Sequence, residues 1–483
     1  RDEQPKWSPD GATVAFVRQA EEGPGCTVCL LPFGPGECSD LAELETVPKQ
    51  LRFAPSGKRL SYIAATPDPR PVRERKEKGD DARVFIEDEK HLRLWTLSIA
   101  SGKQKAVSPA DLTICDYEWL PGSDDRAKQA YEEFMPLDGT FLPNVLIQVK
   151  NGPVDFQPRE PFNPLFGAMR KTPLMIEFQI TQEYLGWSKQ VAYLAPLYKE
   201  VLSADTYALG LGTTVAKATD GSLFAHPVSA IAGVANTGTD RNWTGHHLAQ
   251  ANWYAFGRLA WDHELTSEEI LREWVAMTFT ADKRFMEPLE SIMMGSREAI
   301  VNYMMPLGLH HLFYTGHHYG PEPWANDPFS RPDWQPPYYH KADAQGLGFD
   351  RSRTGSNAAS QYFEPLAGQY DNMLTCPENL LLWFHHVPWD HRLKNGNTLW
   401  EELCRLYTMG VDQARGFQRT WDSLEPYVDP GRFLDIQRRL KIQARDAQWW
   451  RDACLLYFQT FSRQPIPLEL ERPIHDLGEL MSR

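Results

Sequence analysis

Residues 144–160 read NVLIQVKNGPVDFQPRE: an apolar, β-branched run ending on Lys150, then a Gly-Pro loop carrying Asp155, Arg159 and Glu160. A short apolar run bounded by turn residues predicts a buried strand. Two more follow, PLMIEFQI at 173–180, which runs into TQEYLG at 181–186, and SAIAGVA at 229–235. Strands spaced widely enough for intervening helices predict a parallel α/β sheet or barrel, in which the loops after the strands carry the chemistry. Adjacent strands would bring Asp155 and Glu183 to one rim. Paired carboxylates across a pocket are what glycoside hydrolysis needs. The plainer alternative makes Asp155 a loop cap and Glu183 the partner of a surface lysine.

On the C-terminal side, from about Leu265, the pattern turns helical. Thr266 and Glu269 form a capping box, and Ile270, Trp274 and Met277 are expected on one buried face. Further on, Phe433, Ile436, Leu440, Ala447, Trp450, Cys454 and Tyr457 recur at mostly three-or-four spacing, opposite a charged side with Arg438, Arg439, Lys441, Arg445 and Asp446. Such a stripe packs within its own subunit or serves a homodimer.

On the N-terminal side the texture is different. Trp7-Ser8-Pro9-Asp10-Gly11 precedes an alternating run at 12–17, and Phe53-Ala54-Pro55-Ser56-Gly57 precedes another at 58–63, 46 residues later. Trp119-Leu120-Pro121-Gly122 opens a third copy, and residues 94–99 read as a further strand. Short strands at this period are propeller-like, although two or three blades fall short of the four or so that closure needs. The stretch PDPRPVRERKEKGD at 67–80 reads as a solvated charged loop.

The net charge of −14 argues against a phosphate-backbone partner, because nucleic-acid sites need a basic face. No apolar run reaches the roughly 18 residues that span a membrane. The chain opens RDEQPKWSPDG, without an initiator Met or an apolar leader, as a fragment or trimmed product would. Seven scattered cysteines make no disulfide framework and fit a reducing cytoplasm, with export the alternative. Cys26 and Cys29 have ligand spacing but lack a second pair, so no zinc site is expected. Sixteen Trp and eighteen Tyr suit a carbohydrate pocket, or equally a large core.

From about Asp125 to the end, the chain resembles glycoside hydrolase family 67, the α-glucuronidases. The resemblance rests on long strings in order, among them YEEFMPLDGTF, NVLIQVKNGPVDFQPREPF, FQITQEYLG, IAGVANTGTDRNWTGHHLAQANWYAFGRLAWDHELTSEEI, GFDRSRTGSNA and WWRDACLLYFQTFS. It implies inverting removal of glucuronic or 4-O-methylglucuronic acid from xylo-oligosaccharides derived from glucuronoxylan. The resemblance makes Asp155 and Glu183 the catalytic bases and gives Lys150 the uronate carboxylate. Trp334, with Tyr338, Tyr339 and His340, resembles part of the pocket wall and is the ring expected on the sugar, unless it is a core tryptophan. No cofactor or metal is implied. His246, His247, His310, His311, His317, His318, His385 and His386 lie inside such strings and are not read as ligands.

The expected organisation is therefore a partial propeller-like segment at 1–123, the last three strands of a (β/α)8 barrel at 124–264, and a mostly helical domain at 265–483. The family's general-acid string, KA-x-SEGQPGP-like, and its MWRAF-like string, whose arginine shares the uronate, do not occur in these 483 residues. An impaired α-glucuronidase is the expectation. A non-catalytic uronyl-xylose-binding remnant is the alternative, and a propeller-based interaction or peptidase-like fusion a further one. A peptidase would need a Gly-x-Ser-x-Gly elbow, which the chain does not contain.

Overall fold

The structure is a computed structural model that describes residues 2–20, 25–54, 56–67, 91–108, 113–114, 125–314, 316–327 and 330–482. The chain forms two compact units, Arg1–Ser123 and Asp124–Arg483.

The first unit holds two four-stranded antiparallel meanders. One is β1 (Asp2–Trp7), β2 (Thr13–Gln19), β3 (Cys26–Pro32) and β4 (Ser39–Leu44); the other is β5 (Lys49–Phe53), β6 (Arg59–Ala65), β7 (Leu92–Ser98) and β8 (Gln104–Ala106). The Ser8–Gly11 turn works because Asp10 accepts the Ser8 hydroxyl and the Ala12 N–H, and Gly11 takes a left-handed φ of 68°. Val17, Val28, Leu51, Leu60 and Leu97 from both sheets meet in one core. Cys26 is buried there and Cys29 on the other face of the strand, and burial pushes their thiols up to about 11 and about 12. The third repeat at 119–122, Cys115 and all but the first residue of the 67–80 loop lie outside the described residues.

The second unit is mixed α/β. Its sheet has three parallel strands, β9 (Ile147–Lys150), β10 (Leu174–Gln179) and β11 (Ile231–Val234), with β10 in the middle. The register pairs Ile176 with Val149 on one side and with Ile231 on the other. β9 starts three residues later than the apolar run suggests, because Val145 N–H closes a turn on the Leu142 carbonyl. Being outer strands, β9 and β11 are only part-buried, whereas alternate residues of β10 are fully enclosed.

The helices that matter here are α1 (Arg126–Phe134), α2 (Ala195–Ser203), α3 (Gln250–Trp261), α4 (Ser267–Thr278), α5 (Lys283–Met304), α6 (Leu399–Asp422) and α7 (Pro430–Ser462). Capping boxes start α4 at Thr266/Glu269 and α6 at Thr398/Glu401. The apolar faces of α5, α6 and α7 pack on one another and carry about a third of the core. No helix among the described residues is long and apolar enough to cross a membrane.

Two expectations about helix faces need correction. Met277 is 67% exposed; the chain leaves α4 one residue later, and Phe279 folds back onto Trp274 in its place. Asp446 is not on a solvated charged face but 1% exposed, accepting hydrogen bonds from Gln190 and Tyr319. The apolar stripe of α7, from Phe433 to Cys454, is covered within its own unit. The stripe thus serves the packing of its own unit.

Candidate active site

β9 ends on Lys150, and the loop that follows bends back over the strand end. Its geometry is set by Glu160, a buried side chain whose oxygens accept the N–H groups of Val154 at 2.9 Å and Gln157 at 3.0 Å. These two bonds bracket Asp155 and Phe156, the latter held at a positive φ of 47°. Gly152 makes room for the arrangement, since a Cβ there would lie 2.0 Å from the Glu160 carboxyl carbon. Burial raises the Glu160 carboxyl to about 7 despite the two N–H donors.

Asp155 projects from this loop onto two partners. The Lys150 ammonium donates to Oδ1, and the Tyr184 hydroxyl donates to Oδ2 at 2.7 Å. Burial pushes the Asp155 carboxyl up, but the lysine charge and the two hydrogen bonds outweigh it and hold the group below the usual carboxylate range.

The loop after β10 supplies Glu183 and Tyr184. Gln179 Nε2 donates to Glu183 Oε2 at 2.9 Å, and His318 Nδ1 lies 3.1 Å from Oε1. The His318 contact is the main reason that the Glu183 carboxyl also sits low. The rings of Tyr184 and His318 are 5.0 Å apart, so the two carboxylates are joined by a short bridge of side chains. His311 is buried beside them, which lowers its imidazole to about 4 and keeps it neutral.

Of the four residues singled out from the sequence, Lys150, Asp155 and Glu183 lie at or just past strand ends and Trp334 in the short helical turn Pro332–Trp334, and they line three different cavities. Asp155 and Trp334 share one of 350 Å³ with Arg126, Tyr184, His311, His318 and Tyr339. Glu183 lines one of 440 Å³ with Trp187, Asn236, Asn242, Trp243 and Arg439. Lys150 lines a third, of 350 Å³, with Arg126 and Arg331. Trp334 is 47% exposed, with the Arg331 guanidinium 5.1 Å from its ring. His340, grouped with it in the sequence, belongs instead to the core, where it packs on Phe458 and bonds the Pro323 carbonyl. Sequence reasoning did not single out Arg126, Tyr184 or His318 as site residues. Tyr184 had a signal, adjacency to Glu183, whereas His318 approaches from 135 residues away.

No group of His, Cys, Asp and Glu among the described residues is arranged to hold a metal ion. Fold and geometry together define an α/β unit with two carboxylates and a lysine at or just past the C-terminal ends of adjacent parallel strands, the place where such sheets carry their chemistry. The profile for the glycosyl hydrolase family 67 middle domain matches residues 114–243, and the profile for the family's C-terminus matches residues 244–471. The chain belongs to glycosyl hydrolase family 67. It is 40% identical over 356 residues to a probable alpha-glucuronidase A of Aspergillus clavatus, covering 73% of this chain and 41% of that protein. It is 40% identical over 358 residues to alpha-glucuronidase A of Emericella nidulans, covering 74% and 41%. With alpha-glucuronidase A of Aspergillus tubingensis it shares 39% over 345 residues, covering 71% and 40%. The chain thus spans about two fifths of the length of these curated relatives.

Proposed function

We propose that this chain carries α-glucuronidase chemistry, the removal of glucuronic or 4-O-methylglucuronic acid from xylo-oligosaccharides with inversion. The observation that carries the reading is the carboxylate pair. Asp155 and Glu183 follow adjacent parallel strands, and each is kept ionised by its own neighbours. A general base that activates water must be ionised. Lys150 would pass from Asp155 to the uronate carboxylate of the substrate, a charge-assisted contact that neutral sugars cannot make. Trp334 offers an exposed ring face for the sugar's C–H surface. The names of the relatives, alpha-glucuronidases, support the same substrate class.

In this reading the three parallel strands are the last three of a (β/α)8 barrel spanning 124–264, the helical remainder is a domain at 265–483, and the two antiparallel meanders are a partial propeller-like segment at 1–123. The general-acid string is absent from the 483 residues. A positioned acid contributes about two to four orders of magnitude, so the chain alone should turn over little substrate. The presence of Lys150 and Asp155 without the acid string also favours a second reading, a protein that holds uronyl-xylose without cleaving it.

The test is incubation of the chain with aldobiouronic to aldotetraouronic acids, with released 4-O-methylglucuronate as the readout and an Asp155→Ala/Glu183→Ala double variant as the blank. No release, with retained binding, supports a site that has lost its acid. Release above the blank would show that an acid comes from elsewhere in the chain and would sink the impairment. Neither release nor binding would sink both readings.

A further inference from the structure

We infer that Arg126 is a specificity-determining cation that works beside Lys150 to select a ligand carboxylate. The inference rests on the uronate reading above and adds a residue to it. Arg126 opens α1, and its position is fixed from two sides: its backbone N–H donates to the Tyr338 hydroxyl at 2.9 Å, and Asp125 caps the helix start. The guanidinium Nη1 donates to Asp333 Oδ2 at 3.2 Å. That carboxylate is already gripped by both arms of Arg331, Nε to Oδ1 at 3.0 Å and Nη2 to Oδ2 at 2.8 Å. One buried carboxylate therefore serves two guanidiniums.

Arg126 keeps donors to spare for a ligand. Among the described residues its side chain bonds only Asp333, so most of its five N–H donors are unspent. It lines the cavity of Lys150 and also the cavity of Asp155 and Trp334, placing it on the wall between them. Its charge already reaches Asp155, where it helps hold the carboxyl low. An ammonium is a point donor, but a guanidinium offers a planar fork that fits both oxygens of a carboxylate. Together the two cations can tell a hexuronate from the hexose that carries CH2OH at the same carbon, because only the uronate offers them a carboxylate to receive their donors.

The experiment is calorimetric titration of the full chain with D-glucuronate and, separately, with D-glucose. Arg126→Gln should weaken glucuronate about tenfold, the worth of a charge-assisted bond, with glucose unaffected. Arg331→Ala should weaken it in the same direction, because Asp333 then absorbs the charge of Arg126. Asp333→Asn should strengthen it. The last two leave Arg126 in place and decide the matter if Arg126→Gln does not fold. Loss of glucuronate binding in Lys150→Ala, with Arg126→Gln and Arg331→Ala both within about twofold of the parent, would overturn the inference and leave the uronate reading standing. A parent chain that does not distinguish glucuronate from glucose would overturn the uronate reading itself.

Discussion

The Tyr184 hydroxyl donates a 2.7 Å hydrogen bond to Asp155 Oδ2, tying the loop after β10 to the loop after β9. Each loop carries one of the two carboxylates, so this bond sets their mutual position as well as the charge state of Asp155. With the hydroxyl gone, the Asp155 carboxyl loses one of the contacts that hold it low. A group with a depressed folded pKa adds stability above its unfolded pKa and loses it as pH falls through the folded value. Tyr184→Phe should therefore cost on the order of 1 kcal/mol at neutral pH and less in acid. Urea midpoints of the two proteins at several pH values between 2 and 7 would check it; equal differences at every pH would refute it.

Glu160 has the opposite sign. Burial raises its carboxyl to about 7, above the ordinary 4.5, so the folded state holds the proton more tightly than the unfolded state does. Stability should fall as pH rises from about 4.5 to about 7, by about 3–4 kcal/mol at about 1.4 kcal/mol per pKa unit. Glu160→Gln cannot ionise and should lack this slope. Because an amide accepts on one oxygen only, the variant also gives up one of the bonds to Val154 and Gln157. Chemical denaturation across that pH window separates the slope from the constant offset.

Gly152→Ala should disturb the same loop by a different route. The added methyl would meet a carboxyl pinned by two N–H groups, which cannot swing aside. Overpacking of this kind typically costs about 1–3 kcal/mol. Binding of glucuronate should fall with it, since the displaced loop carries Asp155. Unchanged stability and unchanged binding would show that the loop is softer than its hydrogen bonds suggest.

Asp125 and Arg351 form an ion pair with both side chains fully buried, joining the start of α1 to a segment 226 residues later. The Ser356 hydroxyl and the Ala127 N–H also donate to Asp125. Removing the guanidinium leaves the buried Asp125 carboxylate without its paired charge, and Arg351→Met should cost roughly 3–5 kcal/mol. Guanidinium unfolding would show a lower midpoint at similar slope. A shift below about 1 kcal/mol would mean that water reaches the abandoned carboxylate.

How much of this could be read in the chain depends on how local each determinant is. β10 follows from the alternation and apolar content of its own residues, and the Thr266/Glu269 capping box from a spacing of three. The positions of Asp155 and Glu183 just beyond strand ends follow from the same local logic. The long strings that mark the family are local too, which is why the matched residues 114–471 were legible as a block.

What the sequence by itself determined, then, is the run of elements, the family and the residue types at the strand ends. Tertiary structure alone decided which partners those residues meet. Nothing in the order of residues sets His318 against Glu183, balances one Asp333 with two arginines, or buries Asp446 beneath Gln190 and Tyr319. The physical reason is that charge state and exposure are properties of surroundings. A carboxylate buried behind two backbone N–H groups and one beside a lysine read alike in the chain, and only the packing of distant segments pushes one up and the other down.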